Sequence, residues 1–308
     1  MHKYVSLFVL AALVALPVHA ADSDKRQLTI NIPGHAQIQR TVDVQITDEV
    51  NGRSRAAQGH SVYNDEVTRT GEGYIVRRTR LTHEPAIPLD SYDGSPAWTA
   101  WLGDAADITF TTGPYFYPRT VEDWPTVQAR YLGILTRAAP AGANSPIRQV
   151  YAMLDTHSAP FQLLKADTFM AYARKYPLVP GQPYLEPATM PAPIGHGEVN
   201  VTSTFTLAKW DEAADDAEID YDFAVDPTSM RDELAHLLPQ LLPGTPAVDI
   251  QAAIAKARVD VSSHCHYQAS IRTGLIRRGE CTQTTVAHVL DYDETRKASY
   301  VVGEALVK

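Results

Sequence analysis

Two histidines two residues apart, His264 and His266, are the side chains in this sequence best spaced for chemistry. On a strand, residues two apart project from one face, so both imidazoles would reach toward the same point. With a carboxylate beside them they could hold zinc and leave a coordination position open, as a metal-dependent hydrolase requires. The carboxylate has to come from the element that pairs with theirs. From Val259 to Ile271 the odd positions are mostly apolar or small, while Asp260, Ser262, His264, His266, Gln268 and Ser270 between them are polar. That period of two predicts a strand with one buried face. A short turn over Arg272, Thr273 and Gly274, with Gly274 left-handed, closes a hairpin on Ile271 opposite Leu275. Counting outward sets Cys265 against Cys281 on the apolar face, His266 against Glu280 and His264 against Thr282. The reading is therefore a cross-strand disulfide, Cys265 to Cys281, and a candidate metal set of His264, His266 and Glu280. No fourth ligand is specified, and an exposed strand face with a cross-strand ion pair is the plainer account of the same residues.

Other chemistry is thinner. His157 beside Asp155 and Ser158, and His196 between two glycines, invite a triad reading, but no Gly-x-Ser-x-Gly elbow is present. Glycine-rich phosphate loops are missing as well. The acidic turn at Asp211, Glu212, Asp215 and Asp216 lacks the ligand spacing of a calcium loop. Arg69, Arg77, Arg78 and Arg80 suggest an anion site or, more plainly, a solvated strand face. No cofactor is implied. Between Glu84 and Trp124 the chain is poor in charge and crowded with aromatics. Tyr92, Trp98, Trp101, Phe110, Tyr115, Tyr117 and Trp124 are candidates to line an apolar ligand pocket, or to seal the open end of a sheet.

Residues 1–20 have Lys3 at the start, an apolar run from Val5 to Leu16 and the small-residue site Val18-His19-Ala20. This is a secretory signal pattern, and no lipobox cysteine follows it. A periplasmic or secreted location is expected, and such compartments oxidise thiols, which fits two cysteines. The formal charge of the full sequence is -9, and loss of Lys3 leaves about -10. That balance argues against nucleic acid as a partner. No later stretch is long and apolar enough for a spanning helix, so an integral membrane protein is not expected.

Leu28, Ile30 and Ile32, and then Val42, Val44 and Ile46, alternate with polar neighbours and predict strands. Asn51-Gly52 marks a turn, and a hairpin is expected with its tip at Gly71, Glu72 and Gly73. Helices are predicted after Asp123, after Ser145-Pro146, from Ser158 through Tyr172, and after Asp226-Pro227. Prolines from Pro177 to Pro193 predict a stiff, extended connection. Strands resume from Val199 to Leu207, Ile219 to Phe223, and Tyr300 to Leu306. The fold class is α+β: a mainly antiparallel, curved β-sheet with a few helices packed on one face and a cross-strand disulfide. Its half-barrel-like form is similar to that of periplasmic lipid carriers, a likeness of architecture with no motif residues behind it. Residues 21–308 form a single domain, with two β-rich lobes, 21–176 and 195–308, joined by the proline-rich segment 177–194, as the alternative.

The function expected on these grounds is non-enzymatic binding of an apolar or lipid-like ligand in the envelope. An envelope protein partner and a metal-dependent hydrolase are the alternatives.

Overall fold

The computed structural model describes residues 24–84, 107–138, 152–191, 197–241, 244–289 and 292–307. The chain runs β1 (His35–Val50), β2 (Arg53–Arg69), β3 (Tyr74–Glu84), β4 (Ile108–Thr112), β5 (Pro118–Val121), α1 (Trp124–Ala138), α2 (Ala159–Leu163) and α3 (Lys165–Tyr172). It continues through β6 (Pro183–Pro191), β7 (Glu198–Asp211), β8 (Asp216–Val225), α4 (Pro227–Leu241), α5 (Ala247–Lys256), β9 (Arg258–Ala269), β10 (Ile276–Val289) and β11 (Tyr292–Leu306). Among the described residues the strands form one open, curved, antiparallel sheet of 11, in the order β5-β4-β3-β2-β1-β11-β10-β9-β8-β7-β6.

Local chemistry accounts for the turns. Asn51 and Gly52 both take positive φ, 48° and 74°, which is the two-residue hairpin turn that matches strand twist and joins Val50 to Arg53. Asp226 opens α4: its carboxylate accepts from the Ser229 amide at 2.8 Å, and Pro227 fills the first helical position, where no amide is needed.

The predicted α+β class and the disulfide are both present. Cys265 and Cys281 are direct register partners with Cα atoms 4.1 Å apart. His266 stands opposite Glu280 and His264 opposite Thr282, as counted from the sequence. The hairpin tip differs. Ladder pairing stops at Ala269 with Ile276, Gly274 bonds back to the Ser270 carbonyl, and the register shifts between Ile276 and Arg278. That one-residue irregularity restores the expected register further out. Gly274 has φ 70°, and a Cβ there would come within 2.2 Å of the Thr29 carbonyl oxygen, so both conformation and space require glycine.

Three expectations need correcting, and one helix goes beyond them. Leu28, Ile30 and Ile32 alternate inward and are buried, but they form no named strand; bonds such as Asn31 to the Thr273 carbonyl hold them instead. The helix from Ser158 is interrupted at Leu164 (φ -122°, ψ 39°), giving α2 and α3. Part of the proline-rich connection is the edge strand β6. α5 was not anticipated; its buried residues Ile250, Ala253 and Ile254 follow helical spacing. The start signal at Ser145 lies outside the described residues.

The curvature has a measure. α3 touches β3 through Asp167 and Arg78 at 2.8 Å, and β8 through Tyr172 and Tyr221, whose ring centroids are 4.8 Å apart. On a flat sheet β3 and β8 would be separated by six steps, roughly 29 Å, yet Asp167 and Tyr172 lie only about 7.5 Å apart along the helix. The sheet must wrap around α3, which therefore lies in its concavity.

Candidate functional site

The concave face is organised by a buried ionic network. Arg40 on β1, Asp65 on β2, Arg78 on β3, Glu304 on β11, Asp167 on α3 and Arg174 just beyond it are each at most 5% exposed. Arg78 is clamped by both carboxylates of neighbouring elements: its Nε lies 2.8 Å from Asp65 Oδ1 and its Nη1 2.9 Å from Asp167 Oδ2. Arg40 reaches Asp65 at 3.2 Å, Asp167 at 2.9 Å and Glu304 at 2.9 Å. Arg174 donates to Glu304 and, at 2.7 Å, to the Gly274 carbonyl. Charges in this cluster balance, three against three. Burial alone would raise the Asp167 carboxyl; Arg40 and Arg78 instead hold it below the ordinary carboxylate range. Tyr267 adds a neutral tie, its hydroxyl donating to the Phe169 carbonyl at 2.6 Å. The network fixes α3 on the sheet with little freedom to slide.

Register defines what lies under α3. One lateral row places Val44, Tyr300, Cys281, Cys265, Tyr221 and Phe205 side by side across six strands. Phe169 lies on this row, 5.8 Å from Tyr300. Burial pushes the Tyr300 hydroxyl up to about 12 and keeps the Tyr172 hydroxyl well above its ordinary value, so these groups stay neutral. The next row toward the far end carries Ile46, Ala298, Gln283, Ser263, Phe223 and Ser203.

The candidate aromatics fall in several places. Tyr92, Trp98 and Trp101 lie outside the described residues. Phe110 and Trp124 join the core cluster at the β4 end of the sheet, with the Trp124 indole donating to the Leu154 carbonyl at 2.9 Å. Tyr115 is half-buried between β4 and β5. Tyr117 leans on Tyr172 with centroids 6.0 Å apart. Phe110 also packs against the buried Arg78 guanidinium, 5.2 Å from its ring. A shallow depression of about 250 Å³ beside β4 and α1 is lined by Asp107, Glu122, Asp123 and Arg130, among others.

His264 and His266 occupy the opposite, convex face. Their Nδ1 atoms lie 2.7 Å from Asp222 Oδ1 and 2.8 Å from Asp220 Oδ1, carboxylates of β8. Glu280 is directed to Arg278 at 2.5 Å. Among the described residues no three His, Cys, Asp or Glu side chains converge to hold a metal ion. A groove of about 370 Å³ on the convex face is lined by hydroxyls of Thr202, Thr204, Ser262, Thr282 and Thr284 and by His264. Asp220 and Asp222 could have been paired with the histidines from sequence only by knowing that β8 neighbours β9.

No protein-family model matches the sequence, and no curated protein does. Among solved structures the chain is similar to lipovitellin, in a structure titled for its lipid-protein interactions, at 8% identity and a TM-score of 0.39. The likeness covers 90% of this chain and 25% of the lipovitellin chain, so this chain spans about a quarter of that length. A second likeness, to an outer-membrane channel from Pseudomonas putida, has 7% identity and a TM-score of 0.20, covering 90% of this chain and 98% of the channel. Among the described residues no helix is long and apolar enough to cross a membrane.

Proposed function

We propose that this is a non-enzymatic binding protein of the cell envelope, holding an apolar, lipid-like ligand on the concave side of its sheet. One observation carries the reading: the described residues leave apolar side chains of that face only partly covered. Val44, Val259, Val261 and Tyr300 sit against the core yet stay only half-buried. Apolar groups at the centre of a sheet gain about 25 cal/mol per Å² when covered, so a ligand that completes the burial is stabilised by doing so. The signal pattern at residues 1–20 supports delivery to the envelope.

The test is native mass spectrometry of protein purified without detergent, before and after extraction with organic solvent. A lipid-sized adduct that disappears on extraction is the expected result. No adduct, together with no saturable uptake of a fluorescent fatty acid, ends the reading. A protein partner is the second reading, favoured by Tyr184 and Leu185, 41% and 64% exposed on the edge strand β6. Crosslinking in intact envelopes that returns only the lone chain would remove it.

A further inference from the structure

Among the described residues the convex face carries three imidazole-carboxylate pairs of one geometry. His264 Nδ1 lies 2.7 Å from Asp222 Oδ1, His266 Nδ1 2.8 Å from Asp220 Oδ1, and His60 Nδ1 2.7 Å from Asp43 Oδ1. Asp43 shares its lateral row with His266, so all three pairs face the same way. A carboxylate only accepts, so each Nδ1 carries the proton and the lone pair of the neutral ring is on Nε2. Asp220 and Asp222 both belong to β8, which turns Nδ1 of both β9 rings toward that strand and Nε2 away from it. Ion pairs this open, with the His264 side chain 63% exposed and that of His266 36%, add little to stability. What they fix is the tautomer and the direction of each ring, the part that carboxylates play behind metal-bound histidines. His60 stands alone, with Gln58 and Val62 two residues to either side, whereas His264 and His266 are each other's neighbours on one strand face. Glu280, opposite His266, is taken by Arg278 and is no ligand. Thr282, opposite His264, and Thr284 line the groove beside it and offer hydroxyls to water.

We propose that His264 and His266 chelate one divalent transition-metal ion through their Nε2 atoms, with Asp222 and Asp220 orienting the rings from behind and water in the remaining positions. Two imidazole nitrogens with exchangeable oxygens suit Cu(II) best, with Ni(II) and Zn(II) held more weakly. Calcium and magnesium, which take oxygen ligands, are not bound there. The site is on the face opposite the proposed apolar ligand and does not depend on that reading.

Titration of the intact protein with Cu(II), followed by electron paramagnetic resonance, counts both the ions and the nitrogens that coordinate them. Wild type should take up one equivalent with two nitrogens. His264→Gln and His266→Gln should each bind it about ten-fold or more weakly. His60→Gln removes an equally oriented but solitary imidazole and should leave the affinity unchanged. Asp220→Asn combined with Asp222→Asn keeps both imidazoles and should still weaken binding about ten-fold. Thermal melts check that each variant folds, and added Cu(II) should raise the melting temperature of wild type more than that of His264→Gln or His266→Gln. No stoichiometric uptake by wild type, or equal affinity in wild type and the two single variants, overturns the proposal. A loss in His60→Gln as large as that in His264→Gln also overturns it, because scattered single imidazoles would then account for the uptake. Full affinity in the double aspartate variant overturns the orienting role of the carboxylates.

Discussion

Arg77 and Arg78 are adjacent and chemically identical, and they face opposite ways. Arg77 is 74% exposed, with Glu66 at 4.0 Å as its closest ion-pair partner, whereas Arg78 is 3% exposed and held by Asp65 and Asp167. Burial alone would lower the Arg78 guanidinium, but the two carboxylates raise it well above its ordinary value. Replacing one member of such a cluster strands its partners in a low-dielectric interior, which costs about 3–5 kcal/mol. Arg78→Ala should therefore lower stability by that amount, and Arg77→Ala should stay within about 0.5 kcal/mol. Chemical denaturation of the two variants checks the contrast; similar midpoints would mean that the buried network does not hold the fold.

The hairpin of β9 and β10 shows what an element can be asked to bear. In the loop-entropy account, a disulfide closing a ring of 16 residues stabilises by about 3 kcal/mol. A double Cys265→Ser, Cys281→Ser variant should lose that much or less, because β8 and β11 keep both strands paired without the bond. Thermal melts with and without reductant test this: wild type should shift down on reduction and the variant should not. This hairpin was legible in the sequence because strict alternation and a glycine that no other residue can replace left one register open. The helix α3 was legible too, but its burial in the concavity was not, and the reason is physical. Asp167 on it and Arg174 just beyond it are charged, so periodicity places them on a solvent face, and only partners on three distant strands reverse that assignment. Arg40, Asp65 and Glu304 were hidden in the same way, each a charged residue at an inward position of an otherwise alternating strand. The histidines were found, but their carboxylate partners belong to a strand more than 40 residues upstream. β6 was masked by Pro183, Pro187 and Pro191. All three share one parity, so their missing amides fall on one side, and a strand can tolerate this only where that side is its free edge. The same arrangement removes donors that would invite a further strand, and so discourages sheet-to-sheet growth at this edge.

At the scale of the molecule, the centre of the sheet is a seam between β1 and β11, paired from Ile38 with Leu306 to Val50 with Glu294. Neither strand can find its partner until nearly the whole chain is present, a topology of long-range contacts that folds slowly. Once closed, the wrapped sheet encloses titratable groups on its inner side, and their protonation then governs how stability follows pH. His83, hydrogen-bonded to Ser61 at 2.7 Å, is pushed down to about 4 by burial, with Arg80 and His60 adding like charge. Its ordinary value is 6.5, so between pH 6.5 and 4 the unfolded chain binds a proton that the folded chain refuses. Stability is complete above 6.5 and falls as the pH drops through that window. Asp215 acts lower: burial alone would raise it, but the Arg272 amide, Ser270 and neighbouring arginines hold it at about 2, so its contribution is lost between pH 3.8 and 2. The alkaline side runs the other way. Lys165, at about 8 when folded against 10.5, adds stability as the pH rises across that interval, until the buried tyrosines Tyr172 and Tyr267 begin to oppose it above about 10. The acid limb isolates most cleanly. Melting curves from pH 7 to 4 should show wild type losing roughly 1–3 kcal/mol more than His83→Gln, whose side chain takes no proton. Parallel curves for the two chains would place the acid sensitivity elsewhere, and the enclosure of His83 by the curved sheet would then have no energetic consequence.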